Sequence, residues 1–392
     1  MDARAASRSG RGQSPFSALT AENTLHTTSK VTPLQYTNRY IPSPRSPETH
    51  YNWLYVLAEH LLPGLDGVGL ASIANCAEFG RVPVFDLIFL GTAAAVPSAE
   101  RGLPALLVAR GPSRFLIDCG EGTQRQLMRA GVGFRGLAHV LLTHAHLDHV
   151  LGLAGLLATF ALYRVEGTIE IVGSEETLGF VRRYLADTIG PEREGGYRLR
   201  AISPGPVLVR QGWRIDAFAV AHRGTESLGY RFQDEPRHPL ISERLDALGV
   251  PAGPERALLA QGRSVVLADG REIVPEMVHG APVPGAALTI VGDTEEIAGL
   301  VEPVRGADAL VIEATFLERD AALARARGHL TAAGAARLAR DAEIGELLLT
   351  HISGRYSPEE ILTEAARHFA NVRVVADFGR MSVRARGDVV SS

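Results

Sequence analysis

Leu141-Leu142-Thr143-His144-Ala145-His146-Leu147-Asp148-His149 decides how the rest of the chain reads. An apolar run over 138–142 predicts a buried strand. Residues 150–163 are apolar at helical spacing and predict a helix. The polar cluster between them therefore sits in a tight loop at a strand end, where side chains converge on one point. Neutral imidazole and carboxylate together are the donor set of zinc and related divalent metals. A solvated His-rich tract would not be wedged between a core strand and an apolar helix. His144 and His146 alternate along extended chain and can reach one metal, while Asp148 and His149 can turn toward a second. Two ions that close require a bridging carboxylate and further donors from elsewhere.

Those donors are found by the same context, a polar residue directly after an apolar strand. His222 ends a predicted hairpin over 207–210 and 214–220. Asp293 follows the strand 287–291 and is placed to bridge. His351 closes the strand 346–350. Glu313 ends the strand 309–312, and His329 precedes the helix 331–340. Strand signals at 85–90, 104–108 and 114–118 lead to Asp118-Cys119-Gly120-Glu121-Gly122. That segment reads equally as a site loop or as a helix N-cap region. Alternating strand and helix signals put strand ends along one edge of packed sheets, an α/β architecture. His26, His50, His139, His279 and His368 lack that context and read as structural or solvated.

The chain has 392 residues, 46% of them hydrophobic and 21% charged, with a formal net charge of −4. That is ordinary for a globular protein, so nothing global advertises nucleic-acid binding. Two cysteines, Cys76 and Cys119, make no disulfide framework and point to a reducing cytoplasm. No apolar run is long enough to span a bilayer, and Met1 opens no signal-peptide pattern. Residues 1–82 are set apart. The first 47 are rich in Ser, Arg, Thr and Pro without apolar period, which predicts disorder, and 51–62 could form a short amphipathic helix. The globular domain is expected over 83–392. Within it, 234–284 breaks the rhythm with many prolines and glycines, one short helical signal at 242–248 and no clear strand. An insertion of that length inside a domain is usually functional, and it reads as a protruding arm.

With these residues in place the sequence resembles the metallo-β-lactamase superfamily and, within it, the ribonuclease Z family of tRNA 3′-processing endonucleases. The 144–149 motif marks only the superfamily. The narrower match lies in Phe89-Leu90-Gly91-Thr92, Asp118-Cys119-Gly120-Glu121-Gly122-Thr123-Gln124-Arg125-Gln126, Leu228-Gly229-Tyr230-Arg231, Gly292-Asp293-Thr294, Glu313-Ala314-Thr315-Phe316, Gly328-His329 and Leu349-Thr350-His351, in the family's order. It covers the chain from about residue 85 onward. The resemblance implies a four-layer αβ/βα sandwich and a zinc-dependent phosphodiesterase that removes 3′ extensions from precursor tRNA. It implies two zinc ions per chain, with manganese or another divalent ion as the alternative. His144, His146 and His222 would hold one ion, Asp148, His149 and His351 the other, and Asp293 would bridge. Asp148 would act as base or water orienter, with His329 and Glu313 near the leaving oxygen. The arm would be a tRNA-binding exosite, and the protein a homodimer.

Three features depart from the family pattern. Ile312 stands where the family usually has His, and Leu330 where it has Ser. The arm carries five arginines against eight acids, a net charge of −3, whereas phosphate binding favours the reverse. The competing reading is a phosphodiesterase or arylsulfatase-like hydrolase of a small substrate on the same fold, which would have no use for an arm. A non-enzymatic RNA-binding scaffold fits poorly with a complete donor set, and a β-lactamase fits poorly with the absence of an export signal.

Overall fold

Strand side chains sort by parity, and the two parities feed different cores. In β1 (Phe85–Gly91), Phe85, Leu87 and Phe89 join one apolar cluster while Ile88 and Leu90 join another. The same division recurs in β2 (Ala105–Arg110), β3 (Ser113–Ile117), β4 (Leu137–Leu141), β5 (Ile169–Gly173) and β8 (Trp213–His222), whereas β6 (Tyr197–Ala201), β7 (Gly205–Arg210) and β9 (Thr225–Asp234) each feed one cluster. A two-residue pair follows, β10 (Val265–Val266) and β11 (Glu272–Ile273). The remaining strands are β12 (Ala287–Ile290), β13 (Ala309–Glu313), β14 (Glu346–Thr350), β15 (Val372–Val374) and β16 (Arg380–Val383). The computed structural model describes residues 85–165, 167–192 and 196–386, all within one compact unit of the chain. The expectations for 1–82 lie outside the described residues.

Two seven-stranded sheets result, ordered β16-β1-β2-β3-β4-β5-β6 and β15-β14-β13-β12-β9-β8-β7. Each runs through three antiparallel pairings and then three parallel ones, the first counted from β16 and the second from β7. The cluster containing Phe115, Trp213, Tyr230, Phe232, Leu288 and Val311 draws on both sheets and fills the space between them. A second cluster joins the far face of the first sheet to α1 (Thr123–Arg129), α2 (Leu147–Val150), α3 (Gly152–Leu162) and α4 (Glu175–Thr188). A third joins the far face of the second sheet to helices described below. Three apolar layers separate four layers of secondary structure, as expected for an αβ/βα sandwich.

Between β9 and β12 lie α5 (Ser242–Ala247), α6 (Pro254–Ala260), the β10–β11 pair and α7 (Pro275–Val278). They share a small core of Leu245, Val250, Leu259, Val265, Leu267, Ile273 and Val278. Arg237 and Val283 exchange backbone hydrogen bonds of 2.9 and 2.7 Å where the segment leaves and rejoins the sheet. The sequence predicts one short helix here; the two-residue strands and the four-residue α7 are too short to carry a period, while the seven-residue α6 is a further helix that the sequence reading does not include. After β12 come α8 (Val301–Val304), α9 (Ala321–Arg327), α10 (Ala332–Asp341) and α11 (Pro358–Ala366). The last three contribute Ala324, Ala335, Leu338 and Ile361 to the third apolar layer.

Two further differences have local causes. The helix expected over 150–163 is α3, and it is set off from the short α2 before it because the Gly152 N–H leaves the helical ladder for the loop after β3. Gly152 N–H donates to the Cys119 carbonyl at 2.9 Å, and Cys119 N–H to the His149 carbonyl at 2.7 Å. The expected last strand, now β15, does not finish the domain. β16 crosses to the other sheet and pairs with β1, and its Arg-Met-Ser-Val sequence carries too little apolar signal to announce a strand.

The junction between α2 and α3 demands glycine. A Cβ on Gly152 would stand 2.0 Å from the Gly120 carbonyl oxygen, and one on Gly120 would stand 2.5 Å from the Asp148 carbonyl oxygen. Both obstacles are backbone and cannot rotate away. Gly152→Ala should therefore destabilise the domain by about 1–3 kcal/mol, the scale of overpacking, measured as a lowered denaturation midpoint against the wild type. An unchanged midpoint would show that this contact is soft.

Candidate metal centre

The C-terminal ends of the central strands meet at one edge of the sandwich. β4 delivers His144 and His146 on the loop after it and Asp148 and His149 on the turn of α2. β8 ends on His222, Asp293 follows β12, Glu313 ends β13, and His351 follows β14. His329 lies between α9 and α10. All nine residues nominated from the sequence converge there. Donor atoms of His144, His146, His222 and Asp293 lie within 4.8 Å of one another, as do those of Asp148, His149 and His351, and those of Asp293, His329 and His351.

Asp293 occupies the middle. Its Oδ2 lies 3.7 Å from His144 Nε2, 3.5 Å from His149 Nε2 and 4.0 Å from His222 Nε2, while Oδ1 lies 3.4 Å from His351 Nε2. On the other flank Asp148 Oδ2 is 3.4 Å from His351 Nε2 and 3.7 Å from His149 Nε2. His144 Nε2, His149 Nε2 and Asp293 Oδ1 are fully buried and have no hydrogen-bond partner. Buried polar atoms are rarely left so. Three orphaned donors aimed into a pocket of imidazole and carboxylate fit divalent cations.

The imidazole tautomers follow from what stands behind each ring. His149 Nδ1 faces an oxygen of Asp118 at 2.8 Å, and His222 Nδ1 faces the Gly328 carbonyl at 2.8 Å. Both partners only accept, so both rings carry a proton on Nδ1 and turn Nε2 inward. His144 Nδ1 lies 3.0 Å from Thr143 Oγ1, whose own hydrogen goes to Asp118 at 2.9 Å. His351 Nδ1 lies 2.9 Å from Thr315 Oγ1, whose hydrogen goes to Glu313 at 2.6 Å. Each threonine thus accepts from its histidine. His146 differs, presenting Nδ1 to His222 Nε2 at 3.3 Å. Such outer partners orient metal-binding imidazoles and raise their basicity.

Electrostatics follow the same arrangement. Burial, with the neighbouring imidazoles, holds His144 well below its ordinary value and so neutral. Burial opposes charge on His149 too, but Asp293 and Asp118 outweigh it and lift that ring well above its ordinary value. A metal ion must displace that proton, so binding releases it. Burial works against the Asp293 carboxylate, yet His351 and His149 hold it ionised, well below the usual range. Asp148 is likewise held low against burial by its hydrogen bond to His351 and by the charge of His149. Burial lowers His329, but the charge and hydrogen bond of Glu313, with Asp293, bring it to about 9.

Several supporting residues were not legible as such. Asp118 proves to be a support beneath the site, accepting Thr143 N–H at 2.8 Å as well as the two contacts above. It does so from a left-handed backbone, φ +58°. Thr143 and Thr315 were passed over, although a hydroxyl residue beside a histidine at a strand end was the available signal. The motif residues Thr92 and Gln126 both donate to Asp377, at 2.7 and 2.8 Å, and fasten the β1–β2 loop. Ala95 of that loop donates its N–H to Asp148 Oδ2 at 3.1 Å. Ile312 and Leu330 are buried in the third apolar layer and fill it.

Comparison with known proteins agrees with this architecture. A family model described as anti-Pycsar protein Apyc1 matches residues 85–203. Among solved structures, the metallo-β-lactamase fold protein YhfI from Bacillus subtilis superposes with a TM-score of 0.57 at 19% identity, covering 77% of this chain and 100% of that one. The short form of human tRNase Z superposes with a TM-score of 0.53 at 24% identity, covering 76% and 99%. Fold and site thus define a protein of the metallo-β-lactamase fold with a candidate metal centre at its edge. Ribonuclease Z of Bradyrhizobium diazoefficiens is 54% identical over 301 residues, 76% of this chain and 100% of the relative. Ribonuclease Z of Haloferax volcanii is 38% identical over 302 residues, 74% and 92%. The chain belongs to the ribonuclease Z family.

The central place of Asp293 has a measurable consequence. Asp293→Ala should lose more bound metal than any single histidine-to-alanine change at the site, by metal analysis of protein prepared without chelator. Retention equal to that of the histidine variants would remove Asp293 from a position shared by two ions.

Proposed function

We propose that this chain hydrolyses the phosphodiester joining tRNA to its 3′ extension, as a two-zinc endoribonuclease acting as a homodimer in the cytoplasm. One observation carries the reading. Seven metal-type donors, with His329 and Glu313 beside them, converge at one edge of the sandwich in a chain of the ribonuclease Z family. Among the described residues no helix is long and apolar enough to cross a membrane.

His144, His146 and His222 would hold one ion and Asp148, His149 and His351 the other, with Asp293 between them. When bound, such a pair neutralises charge on the phosphoryl oxygens and activates water for in-line attack. Manganese or another divalent ion would suit the same donors. Asp148, held ionised, accepts hydrogen bonds and orients the attacking water. His329 carries a proton at neutral pH and lies within reach of the centre, 3.9 Å from Asp293. It therefore donates to the departing ribose 3′ oxygen. Glu313 aims it, with Oε1 3.1 Å from His329 Nδ1 and 2.7 Å from the Thr294 N–H.

The segment over 234–284 would recognise the body of the tRNA. Its charge favours the competing small-substrate reading. Three of its five arginines are engaged internally: Arg256 with Asp246 at 2.6 Å, Arg271 with Asp269 at 2.7 Å, and Arg244 with the His279 carbonyl at 2.7 Å. Its separate apolar core and paired neck nevertheless support reading it as a module apart from the catalytic edge.

Deletion of that segment separates the two readings. The intact protein should cut a 3′-extended precursor tRNA at the tRNA boundary and also hydrolyse bis(p-nitrophenyl) phosphate. The deleted form should keep the second activity and lose the first. Cutting of tRNA that survives deletion removes the exosite role, and an intact protein that cleaves only the small ester establishes the competing reading.

Asp148→Asn tests the role of that carboxylate. The change keeps the shape and one acceptor oxygen but removes the charge. Turnover should fall by roughly a hundredfold or more, the scale of acid–base groups, with metal content measured in the same sample. Near-normal turnover with both ions retained would leave Asp148 as a ligand alone.

A further inference from the structure

We propose that Arg223 grips the backbone phosphate next to the scissile one, on the side of the RNA that departs with a free 3′ hydroxyl. The inference rests on the endoribonuclease reading above and adds a contact to it.

The first observation is the turn. β8 and β9 pair to their ends, His222 opposite Thr225, so Arg223 and Gly224 alone make the loop. Both have positive φ, +49° and +72°, the pattern of a type I′ hairpin turn. Glycine takes that conformation freely, and asparagine or aspartate at little cost. Arginine at the first position is strained. A loop that tolerates this strain directly after His222 calls for a use of the side chain.

The second observation is how the side chain is held. Glu295 accepts the Arg223 backbone N–H at 3.0 Å and pins the turn. The arginine stem lies against Gly328, closely enough that a Cβ there would stand 2.4 Å from Arg223 Cγ and 3.0 Å from Cδ. Gly328 also accepts the His222 Nδ1–H and is followed by His329, whose ring centre is 5.4 Å from that of His222. The stem is therefore laid toward the segment carrying His329. Arg223 is exposed, and among the described residues its guanidinium has no ion-pair or hydrogen-bond partner.

Chemistry then names the ligand. A planar, permanently charged fork suits two oxygens of a phosphate. A solvated surface arginine would need neither a strained turn nor a glycine seat for its stem. On the reading above the 3′ oxygen departs beside His329, so the nucleotide that keeps this oxygen lies on the side of the segment against which the Arg223 stem is laid. Its own 5′ phosphate is the anion nearest the Arg223 guanidinium.

The test pairs protein variants with two precursor RNAs, using the metal-loaded full chain. One RNA is natural; the other carries a neutral methylphosphonate immediately 5′ of the nucleotide whose 3′ oxygen leaves. The wild type should lose about tenfold or more in kcat/KM on the neutral linkage, a typical single-contact effect, mainly through KM. Arg223→Ala should lose as much on natural RNA and nothing further on the modified one, and Arg223→Lys should keep part of the discrimination. The salt dependence of Arg223→Ala should be shallower by roughly 0.7 in logarithmic slope, the value for one single-strand phosphate. Arg223→Asn relieves the turn while removing the charge; with wild-type metal content and an equal or higher Tm it should show the same loss as Arg223→Ala. Variants that discriminate between the RNAs as the wild type does, or that cut natural RNA at the wild-type rate, overturn the proposal alone. A wild type that cuts neither RNA overturns the endoribonuclease reading and this contact with it.

Discussion

A buried carboxylate with no cation beside it is among the most expensive arrangements a fold can hold. Asp293, 3% exposed and with one oxygen lacking any hydrogen-bond donor, escapes that cost only through the imidazoles that stand around it. Histidines from three other strand ends surround it, and their placement accounts for much of the architecture. β4, β8, β12 and β14 lie in two different sheets, and only face-to-face packing brings their ends to one point. The residues that fill the space between the sheets, Phe115, Tyr230, Phe232 and Leu288 among them, set the distance across which the donors meet. Core packing and metal-site geometry are thus one constraint, and the site inherits its rigidity from a close-packed interior.

Around this centre the backbone is repeatedly forced into the left-handed region. Asp118, Arg223 and His351 all have positive φ, and each ends a strand or follows one directly. An extended chain points alternate side chains to opposite faces, so a strand running on would carry its polar residue past the site. A left-handed residue turns the chain within one step and keeps the side chain at the edge. The strain is held by neighbours: Asp118 by Thr143 and His149, His351 by Thr315, and Arg223 by Glu295.

The segment between β9 and β12 follows a different logic. It has its own apolar core and a paired neck, and its arginines mostly satisfy its own carboxylates and carbonyls. Recognition of RNA by such a module would depend on shape and on a few placed contacts more than on a positive field. The cations nearest the chemistry are then single arginines on the sandwich itself. Every basic side chain after Lys30 is arginine, so each of these positions offers a fork where lysine would offer a point charge.

Much of this was written locally in the chain. Strand and helix alternation, the 144–149 cluster, and polar residues immediately after apolar strands are signals that span a few residues. A period of two and a change of polarity need no tertiary context. By that means the layered α/β class and seven candidate metal donors could be put forward from the sequence; the family followed from motif order, and the roles of Glu313 and His329 came only with that resemblance. The rest was decided by contacts between distant segments. No local pattern pairs β16 with β1, or seats the Gly328 carbonyl behind His222, 106 residues away. Nor does one tell Asp118 as a support from Asp118 as a cap, or reveal that the arm has a core of its own. The physical reason is that a hydrogen bond or a close approach depends on where two segments lie in space, and packing alone sets that. What a residue is can be read along the chain, but which partner orients it exists only once the sheets have closed.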